Sequence, residues 1–240
     1  SDDPLKVEYL NEPSGVFVAG DGTMFIADTG NQRIAVYDEH GRFLYALGEL
    51  QSELLGEKFV FRPSKVVVDM AGLLYVINSQ DYRGLMQISP EGEFLGWYAP
   101  NRLPLDVGRI LARILATAEQ ISQLAKPLPP PHASVFIDDR GFLWTVSVFE
   151  RRNQIKRLVS GGKNVFPEDI YGQILLQGWR WALPRFVDIF VDKREIVTVI
   201  DQGTSLIYQY NLDGDLLLVY GCKGIGKGRF QEPSSVIVDD

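Results

Sequence analysis

The sequence predicts an all-β fold, namely a β-propeller built from four-stranded antiparallel blades. Three copies of one strand entry carry this prediction: PSGVFV at 13–18, PSKVVV at 63–68 and PSSVIV at 233–238. Weaker copies at 133–138 and 187–192 keep the apolar run and its closing aspartate. Glycine turns and short β-rich segments follow the copies, and several short strands repeated in this way are typical of propeller blades.

The remaining strands of each repeat follow in order. Second strands are predicted at residues 24–27, 74–77, 142–146 and 196–200. The third and fourth strands are predicted to form a hairpin around a turn that contains glycine, because glycine adopts the positive φ that such turns need. These turns are Glu39-His40-Gly41, Pro90-Glu91-Gly92 and Leu212-Asp213-Gly214.

The repeats predict a single propeller domain over residues 1–240. Its blades are predicted at 12–49, 62–99, 131–166 and 184–221, with the start of a further blade at 231–240. We expect about six blades in the complete ring, within the range that propellers contain. The chain would then be truncated, and further blades or another chain would complete the ring, because exposed strand edges favour aggregation.

A short helical insertion is predicted at 100–131, in the longest interval between two repeats. Apolar residues recur there at helical spacing, and Thr117-Ala118-Glu119-Gln120 matches a capping box that starts a second helix. We expect the insertion on the face that carries the turns between second and third strands, where propellers usually bind ligands. The alternative is that the helices only cover an exposed apolar rim.

Composition narrows the classes of function. Hydrophobic residues make up 45% of the chain, enough for a sizeable core. The net charge of −7 does not favour binding to nucleic acid. The single cysteine, Cys222, excludes an internal disulfide framework, and two histidines leave little material for a zinc site. No apolar run is long enough to insert into a membrane.

Two segments resemble a known repeat family. IADTGNQRIAVY at 26–37 resembles the signature of NHL repeats, and GCKGIGKGRFQEP at 221–233 resembles the connector between NHL blades. The likeness covers nearly the whole chain except residues 99–131. More narrowly, the order of units is similar to that of secreted or surface-attached NHL-repeat proteins of Gram-positive bacteria. The resemblance implies an extracellular or bacterial cell-surface location, with the cytoplasm as the alternative.

The connector at 221–228 also comes close to a phosphate-binding P-loop. That motif needs serine or threonine after its lysine and a helix whose N-terminus meets the phosphates. Gly228 occupies the hydroxyl position, and a strand is predicted to follow. The sequence therefore does not predict nucleotide binding.

The NHL resemblance implies a noncatalytic scaffold that binds a protein, a glycan or a small ligand through the top face of the propeller, without a cofactor. Trp179 and Trp181 flank Arg180, and such aromatic-basic clusters anchor interfaces or stack on sugar rings, although blade packing could also claim them. The other candidate residues for ligand or partner binding are polar: Asp28, Asn31, Arg33, Lys65, Asn78, Arg83, Arg151, Asp188 and Asp201.

The alternative function is that of a metal-dependent hydrolase. Propellers resembling gluconolactonase hold a divalent cation in the central channel, and Asp28, Asn78, Asp188 and Asp201 would be its candidate ligands here. Aspartate and asparagine also bond their own turn backbones, which is the ordinary explanation. His40 lies in a hairpin turn and His132 stands alone, so a lyase that uses histidine is not favoured. We therefore expect no metal and no enzymatic activity.

Overall fold

The computed structural model describes residues 9–79, 81–101, 128–148, 150–172 and 183–239. Within these residues, one 3-10 helix (Thr29–Asn31) accompanies fifteen β-strands. The strands are β1 (Pro13–Val18), β2 (Met24–Asp28), β3 (Arg33–Tyr37), β4 (Phe43–Leu47), β5 (Pro63–Val68), β6 (Leu74–Asn78), β7 (Leu85–Ile88), β8 (Phe94–Tyr98), β9 (His132–Ile137), β10 (Leu143–Ser147), β11 (Ile155–Leu158), β12 (Phe186–Val191), β13 (Val197–Asp201), β14 (Leu206–Tyr210) and β15 (Leu216–Tyr220).

The strands form antiparallel sheets that follow the order of the sequence. Blade 1 contains β1–β4, blade 2 contains β5–β8, blade 3 contains β9–β11 and blade 4 contains β12–β15. The first strands of successive blades contact one another: β1 contacts β5, β5 contacts β9, and β9 contacts β12. This arrangement confirms the predicted all-β propeller, with the first strand of each blade innermost, next to the propeller axis.

An irregularity in pairing recurs near the start of each innermost strand. In blade 1, Pro13 pairs with Asp28 but Gly15 pairs with Ala27, so one residue of β1 has no partner on β2. The same shift follows Pro63 in blade 2, His132 in blade 3 and Phe186 in blade 4. Such bulges redirect the side chains beside them. The residue after the bulge therefore has the same position relative to the axis in each blade.

Blade 3 differs from the other blades at its outer edge. Where a fourth strand was predicted before residue 166, the structure has a single bridge between Leu158 and Asn164. The Asn164 side chain accepts a hydrogen bond from the backbone N–H of Arg157 at 2.9 Å, and Val165 N–H donates to the Arg157 carbonyl at 2.8 Å. A side chain thus replaces part of the backbone ladder, and the described sheet of this blade has three strands.

The hydrophobic core lies between successive blades. Blade 1 presents Phe25 and Val36 to Val66, Val76 and Met86 of blade 2. A second cluster joins blade 2 to blade 3, and a third joins blade 3 to blade 4. Because alternate residues of a strand point to opposite faces of a sheet, an internal blade packs one face on the preceding blade and the other on the next.

Several predictions fall at or beyond the limits of the described residues. The predicted helices lie outside them, except for the flanks of the insertion at 100–101 and 128–131, and so do Trp179 and Trp181. Residues 233–239 form no strand with any described residue, although Ser235 and Val236 hydrogen-bond to blade 4. Among the residues that the structure describes, no helix has the length and apolarity needed to span a membrane.

Candidate functional site

The axis of the propeller carries one polar contact network. The residues that follow the inner-strand bulge are Gly15, Lys65, Ser134 and Asp188, and Ser235 has the corresponding place in the fifth copy of the strand entry. The Asp188 carboxylate accepts hydrogen bonds from the hydroxyl of Ser134 at 2.5 Å, the hydroxyl of Ser235 at 2.6 Å and Val236 N–H at 2.9 Å. Asp188 therefore ties blade 3 and residues 235–236 to blade 4.

Lys65 joins the same network from blade 2. Its ammonium group lies 3.4 Å from Asp188 Oδ1, and its side chain is 26% exposed against 6% for Asp188. Gly15 leaves room for this lysine, because a Cβ at position 15 would lie 3.2 Å from the Lys65 Cα and 3.4 Å from its Cδ. The structure thus brings two sequence-predicted site residues, Lys65 and Asp188, into direct contact.

The polar residues that end the second strands do not join the axial network but bind the backbone of their own blade. Asp28, Asn78 and Asp201 each accept a hydrogen bond from a backbone N–H of the segment that leads into the innermost strand of their own blade. The donors are Asn11 at 2.7 Å, Arg62 at 2.5 Å and Arg185 at 2.9 Å. All three acceptor residues are buried. In each of these three blades, a polar side chain at the end of the second strand thus fixes the chain segment that leads into the blade.

Asp28 holds two further sequence-predicted residues. Its Oδ2 accepts hydrogen bonds from Asn31 Nδ2 and Arg33 Nε, both at 2.8 Å, and Asn31 also donates to the Tyr9 carbonyl at 2.9 Å. Burial by itself would raise the pKa of Asp28, but the hydrogen bonds from Asn11, Asn31 and Arg33 hold it below its usual value. Asn31 and Arg33 therefore complete the capping network of blade 1.

The ligand set of the metal-dependent alternative is not assembled. Asp28, Asn78 and Asp201 each stay within their own blade, while Asp188 lies at the axis between Lys65 and two serines. In the described part of the chain, no group of three or more His, Cys, Asp or Glu residues could hold a metal ion. The four candidates predicted from the sequence thus do not converge on a common centre.

A cleft of about 540 Å³ opens where the insertion leaves and rejoins the propeller. It is lined by Asp81, Tyr82, Arg83, Pro100, Leu128 and Pro129. The first three residues belong to the connection between the second and third strands of blade 2, and the others flank the insertion. The cleft therefore lies on the face that the sequence predicts for binding.

Arg83 forms one wall of the cleft and is held in place on both sides. It donates to both carboxylate oxygens of Asp81, at 3.0 and 2.8 Å, and its guanidinium lies 4.2 Å from the centre of the Trp97 ring. Such stacking is a cation–π contact. Arg151, the other predicted arginine, is exposed in the turn that precedes β11. Its binding role stays a prediction.

A largely buried polar cluster lies next to this cleft. We call it the Lys156 cluster; it consists of Asn101, Ser147, Glu150 and Lys156. The Lys156 ammonium group donates to Asn101 Oδ1 at 2.5 Å, to Glu150 Oε2 at 2.6 Å and to Ser147 Oγ at 3.4 Å. Burial lowers the pKa of Lys156, and the nearby Glu150 carboxylate opposes this shift.

The Lys156 cluster holds both ends of the insertion. Asn101 Nδ2 donates to the Pro130 carbonyl at 2.6 Å and to Ser147 Oγ at 2.9 Å. Residues 100 and 129 line the cleft, so the cluster fixes the two flanks that shape it. In the sequence, Arg151-Arg152 and Lys156-Arg157 form a local basic cluster beside Glu150, which by itself predicts a solvated turn. The signal that distinguishes Lys156 is its pairing with Thr145, at a position that is apolar in the other blades.

His132 is also buried beside the Lys156 cluster. Its Nε2 lies 2.9 Å from the Ala99 carbonyl, and its Nδ1 is buried without a hydrogen-bond partner. Burial lowers the pKa of His132 to about 4, and the positive charge of Lys156 acts in the same direction. Because a carbonyl only accepts hydrogen bonds, Nε2 carries the proton and Nδ1 presents a free lone pair. The sequence-based view of His132 as an isolated residue thus missed its surroundings.

Comparisons with known proteins support the fold. No family model matches the chain. A streptogramin B lyase structure matches with a TM-score of 0.54 and 14% identity, over 89% of this chain and 56% of the lyase chain. A protein of unknown function from Bacteroides caccae matches with a TM-score of 0.59 and 12% identity, over 93% of this chain and 70% of the other. The chain thus spans little more than half of the lyase.

Two further matches are partial. The extracellular domain of the two-component system BT4673 from B. thetaiotaomicron matches with a TM-score of 0.52 and 12% identity, over 95% of this chain but 24% of the other. A curated protein, the B-box type zinc finger protein ncl-1 of Caenorhabditis elegans, is 53% identical over 36 residues, which are 15% of this chain and 4% of that protein. These matches leave the family of the chain open.

One prediction from the sequence is wrong. We expected no enzymatic activity, but the solved structures that share the fold include streptogramin B lyase and the virginiamycin B lyase from Staphylococcus aureus. At 12 to 14% identity, the likeness shows the fold alone. The correction is that a propeller of this architecture can carry catalysis, so the fold gives no reason to exclude it.

Proposed function

We propose that this chain is a ligand-binding propeller of the NHL-repeat kind and that it recognises a glycan in the cleft beside Tyr82. The observation that carries this proposal is the cleft itself, in which the flanks of the insertion meet the second-to-third-strand connection of blade 2. Ligand sites combine apolar surface with a few fixed polar groups. The lining of this cleft has that composition.

The chemistry of the lining favours sugar rings. Tyr82, Leu128 and the two prolines offer flat or apolar surfaces on which the C–H face of a sugar can pack, while Asp81 and Arg83 supply polar groups at the edge. Arg83 is already neutralised by Asp81, so among the described residues that line the cleft no arginine is left unpaired to demand an anionic ligand. The net charge of −7 likewise argues against a nucleic-acid partner.

The NHL type and the location outside the cell are parts of the same proposal. The signature at 26–37 supports the repeat type, because Asn31 and Arg33 both bond Asp28 and so give the motif a structural purpose. Two of the matched structures are extracellular domains. Glycans are abundant on cell surfaces, where such a propeller would meet them. Residues 100–101 and 128–131 are the parts of the insertion on which this proposal depends.

A glycan array tests the proposal directly. We expect the wild-type chain to bind a defined subset of the oligosaccharides, and Tyr82→Ala to lower the affinity for the same glycans by about tenfold. Tyr45→Ala is the matched control, because Tyr45 is an exposed tyrosine on the outermost strand of blade 1. Equal binding by wild type and Tyr82→Ala would contradict the cleft as the site. If the wild type binds no glycan but binds peptides from a random library through Tyr82, the ligand class is wrong.

A further inference from the structure

Blade 3 departs from the repeat at two core positions. Thr145 pairs with Lys156 in blade 3. The corresponding pairs of the other blades are apolar: Ile26 with Ala35, Val76 with Met86, and Val199 with Tyr208. Thr145 is fully buried, and the Lys156 side chain is only 12% exposed. Of the four described blades, three thus have an apolar pair at this position, and blade 3 has a hydroxyl and an ammonium group instead.

Both replacements face blade 2. Leu143 and Leu158 of blade 3 belong to the hydrophobic cluster shared with blade 2. Thr145 lies two residues after Leu143 on β10, and Lys156 lies two residues before Leu158 on β11, so strand alternation points them to the same side. The Lys156 cluster is therefore part of the interface between blades 2 and 3. It adjoins the cleft through Asn101, which follows Pro100 in sequence and donates to the carbonyl of Pro130.

Two buried polar atoms of this interface lack partners. Thr145 Oγ1 and His132 Nδ1 make no hydrogen bond, although both residues are more than nine-tenths buried. Buried polar groups are almost always hydrogen-bonded, and an exception requires a reason. One atom is a lone-pair acceptor and the other is a hydroxyl that can donate or accept. A ligand hydroxyl, which both donates and accepts, has the chemistry that suits them.

We infer that Thr145, His132 and the Lys156 cluster form the inner end of the glycan-binding cleft and receive a hydroxyl group of the bound sugar. In this arrangement His132 Nδ1 accepts the hydrogen bond of the hydroxyl, and the Thr145 hydroxyl donates to its oxygen. Glu150, whose side chain is 16% exposed, pairs with Lys156 at 2.6 Å and is the more exposed member of this ion pair. This inference rests on the proposed glycan recognition and names the polar contacts that would orient the sugar.

Thr145→Val tests the inference, because valine has nearly the same shape and is the residue of blades 2 and 4 at this position, where blade 1 has isoleucine. If the hydroxyl serves only the fold, its removal leaves glycan affinity unchanged. We expect instead that affinity for the soluble form of an array glycan, measured by titration calorimetry, falls about tenfold. The melting temperature should stay equal or rise, since an unpaired buried hydroxyl is replaced by a methyl group. Thr198→Val, at a buried threonine of blade 4, is the control and should bind as the wild type does.

The outcomes separate this inference from the proposed function. If Tyr82→Ala loses binding while Thr145→Val keeps it, the cleft binds glycan but the inner polar end does not, and the inference is overturned. A clear fall in the melting temperature of Thr145→Val would also overturn it, because the hydroxyl would then be satisfied within the fold. If the wild type binds no glycan at all, the proposed function fails and the inference fails with it.

Discussion

Lys65 and Asp188 are separated by 123 residues in sequence and meet at the propeller axis, where Lys65 Nζ lies 3.4 Å from Asp188 Oδ1. The same carboxylate binds Ser134 and Ser235, so one buried side chain connects the inner strands of three blades and residue 235. Both Lys65 and Asp188 occupy the place just after the inner-strand bulge. The repeat thus places these side chains close together at the axis. Their hydrogen bonds and ion pair hold the blades together.

Asp188→Ala is expected to destabilise the chain by about 3 kcal/mol, because it leaves the Lys65 ammonium group and two serine hydroxyls without their acceptor. Chemical denaturation monitored by tryptophan fluorescence measures this loss. Asp213→Ala is the control, since Asp213 is exposed in a hairpin turn and should change stability by less than about 0.5 kcal/mol. Equal effects of the two substitutions would show that the axial network is not a stabilising element.

Gly15→Ala is expected to destabilise by about 1–3 kcal/mol. A Cβ at Gly15 would lie 2.6 Å from the Ser64 carbonyl oxygen, a backbone atom that cannot move without shifting β5. Gly20→Ala is the matched control, because a Cβ at Gly20 meets no atom within 4 Å. Thermal unfolding of the two variants side by side measures the difference. If Gly15→Ala unfolds at the temperature of Gly20→Ala, blades 1 and 2 are not packed as closely as described.

Much of the fold could be predicted from the sequence, because the repeat determines strand order and the position of each innermost strand. The PSGVFV and PSKVVV segments are strands β1 and β5 in the structure, as predicted, and the all-β class is confirmed. The sequence did not reveal that the described sheet of blade 3 lacks the predicted fourth strand. There the Asn164 side chain replaces part of the backbone pairing. The sequence thus predicted which strand of each blade is innermost. It did not predict which side chains of these strands hydrogen-bond to one another across blades.

The candidate site could be predicted only in part. Asp28, Asn78 and Asp201 each have a backbone contact within their own blade, but its backbone donor lies in the segment before the innermost strand rather than in the residue's own turn. The buried role of Lys156 was missed because two of its three acceptors, Asn101 and Ser147, lie 55 and 9 residues away and no local pattern connects them. A comparison of paired core positions between the blades would have identified it. Trp179 and Trp181 remain predictions.

Lys156→Ala is expected to lower the free energy of unfolding by about 3 kcal/mol, because Glu150 and Asn101 lose their common hydrogen-bond donor in a largely buried place. The double variant Lys156→Met with Glu150→Gln should cost much less, about 1 kcal/mol or below, because it removes both charges together. Urea denaturation of the three proteins measures this contrast. A double variant as unstable as Lys156→Ala would mean that the ion pair itself, rather than its desolvation, determines stability.

Stability should fall as the pH is lowered from about 6.5 to about 4. The pKa of His132 is about 4 in the folded chain, against 6.5 in an exposed histidine, so in this window the unfolded chain binds a proton that the folded chain does not. The full effect is about 3 kcal/mol. His132→Gln can still donate to the Ala99 carbonyl and does not titrate. Its free energy of unfolding should depend less steeply on pH across this window, and identical slopes would contradict the buried neutral state of His132.

The most direct test of the account is hydrogen–deuterium exchange with and without a glycan that the array identifies. The account predicts slower exchange on binding at residues 81–83, 128 and 150–152, around the cleft and the Lys156 cluster. The hairpin turns at 39–41 and 90–92, at the other ends of the strands, should exchange as before. Protection confined to those turns, or no protection at 81–83, would contradict the central claim that the cleft beside Tyr82 is the binding site.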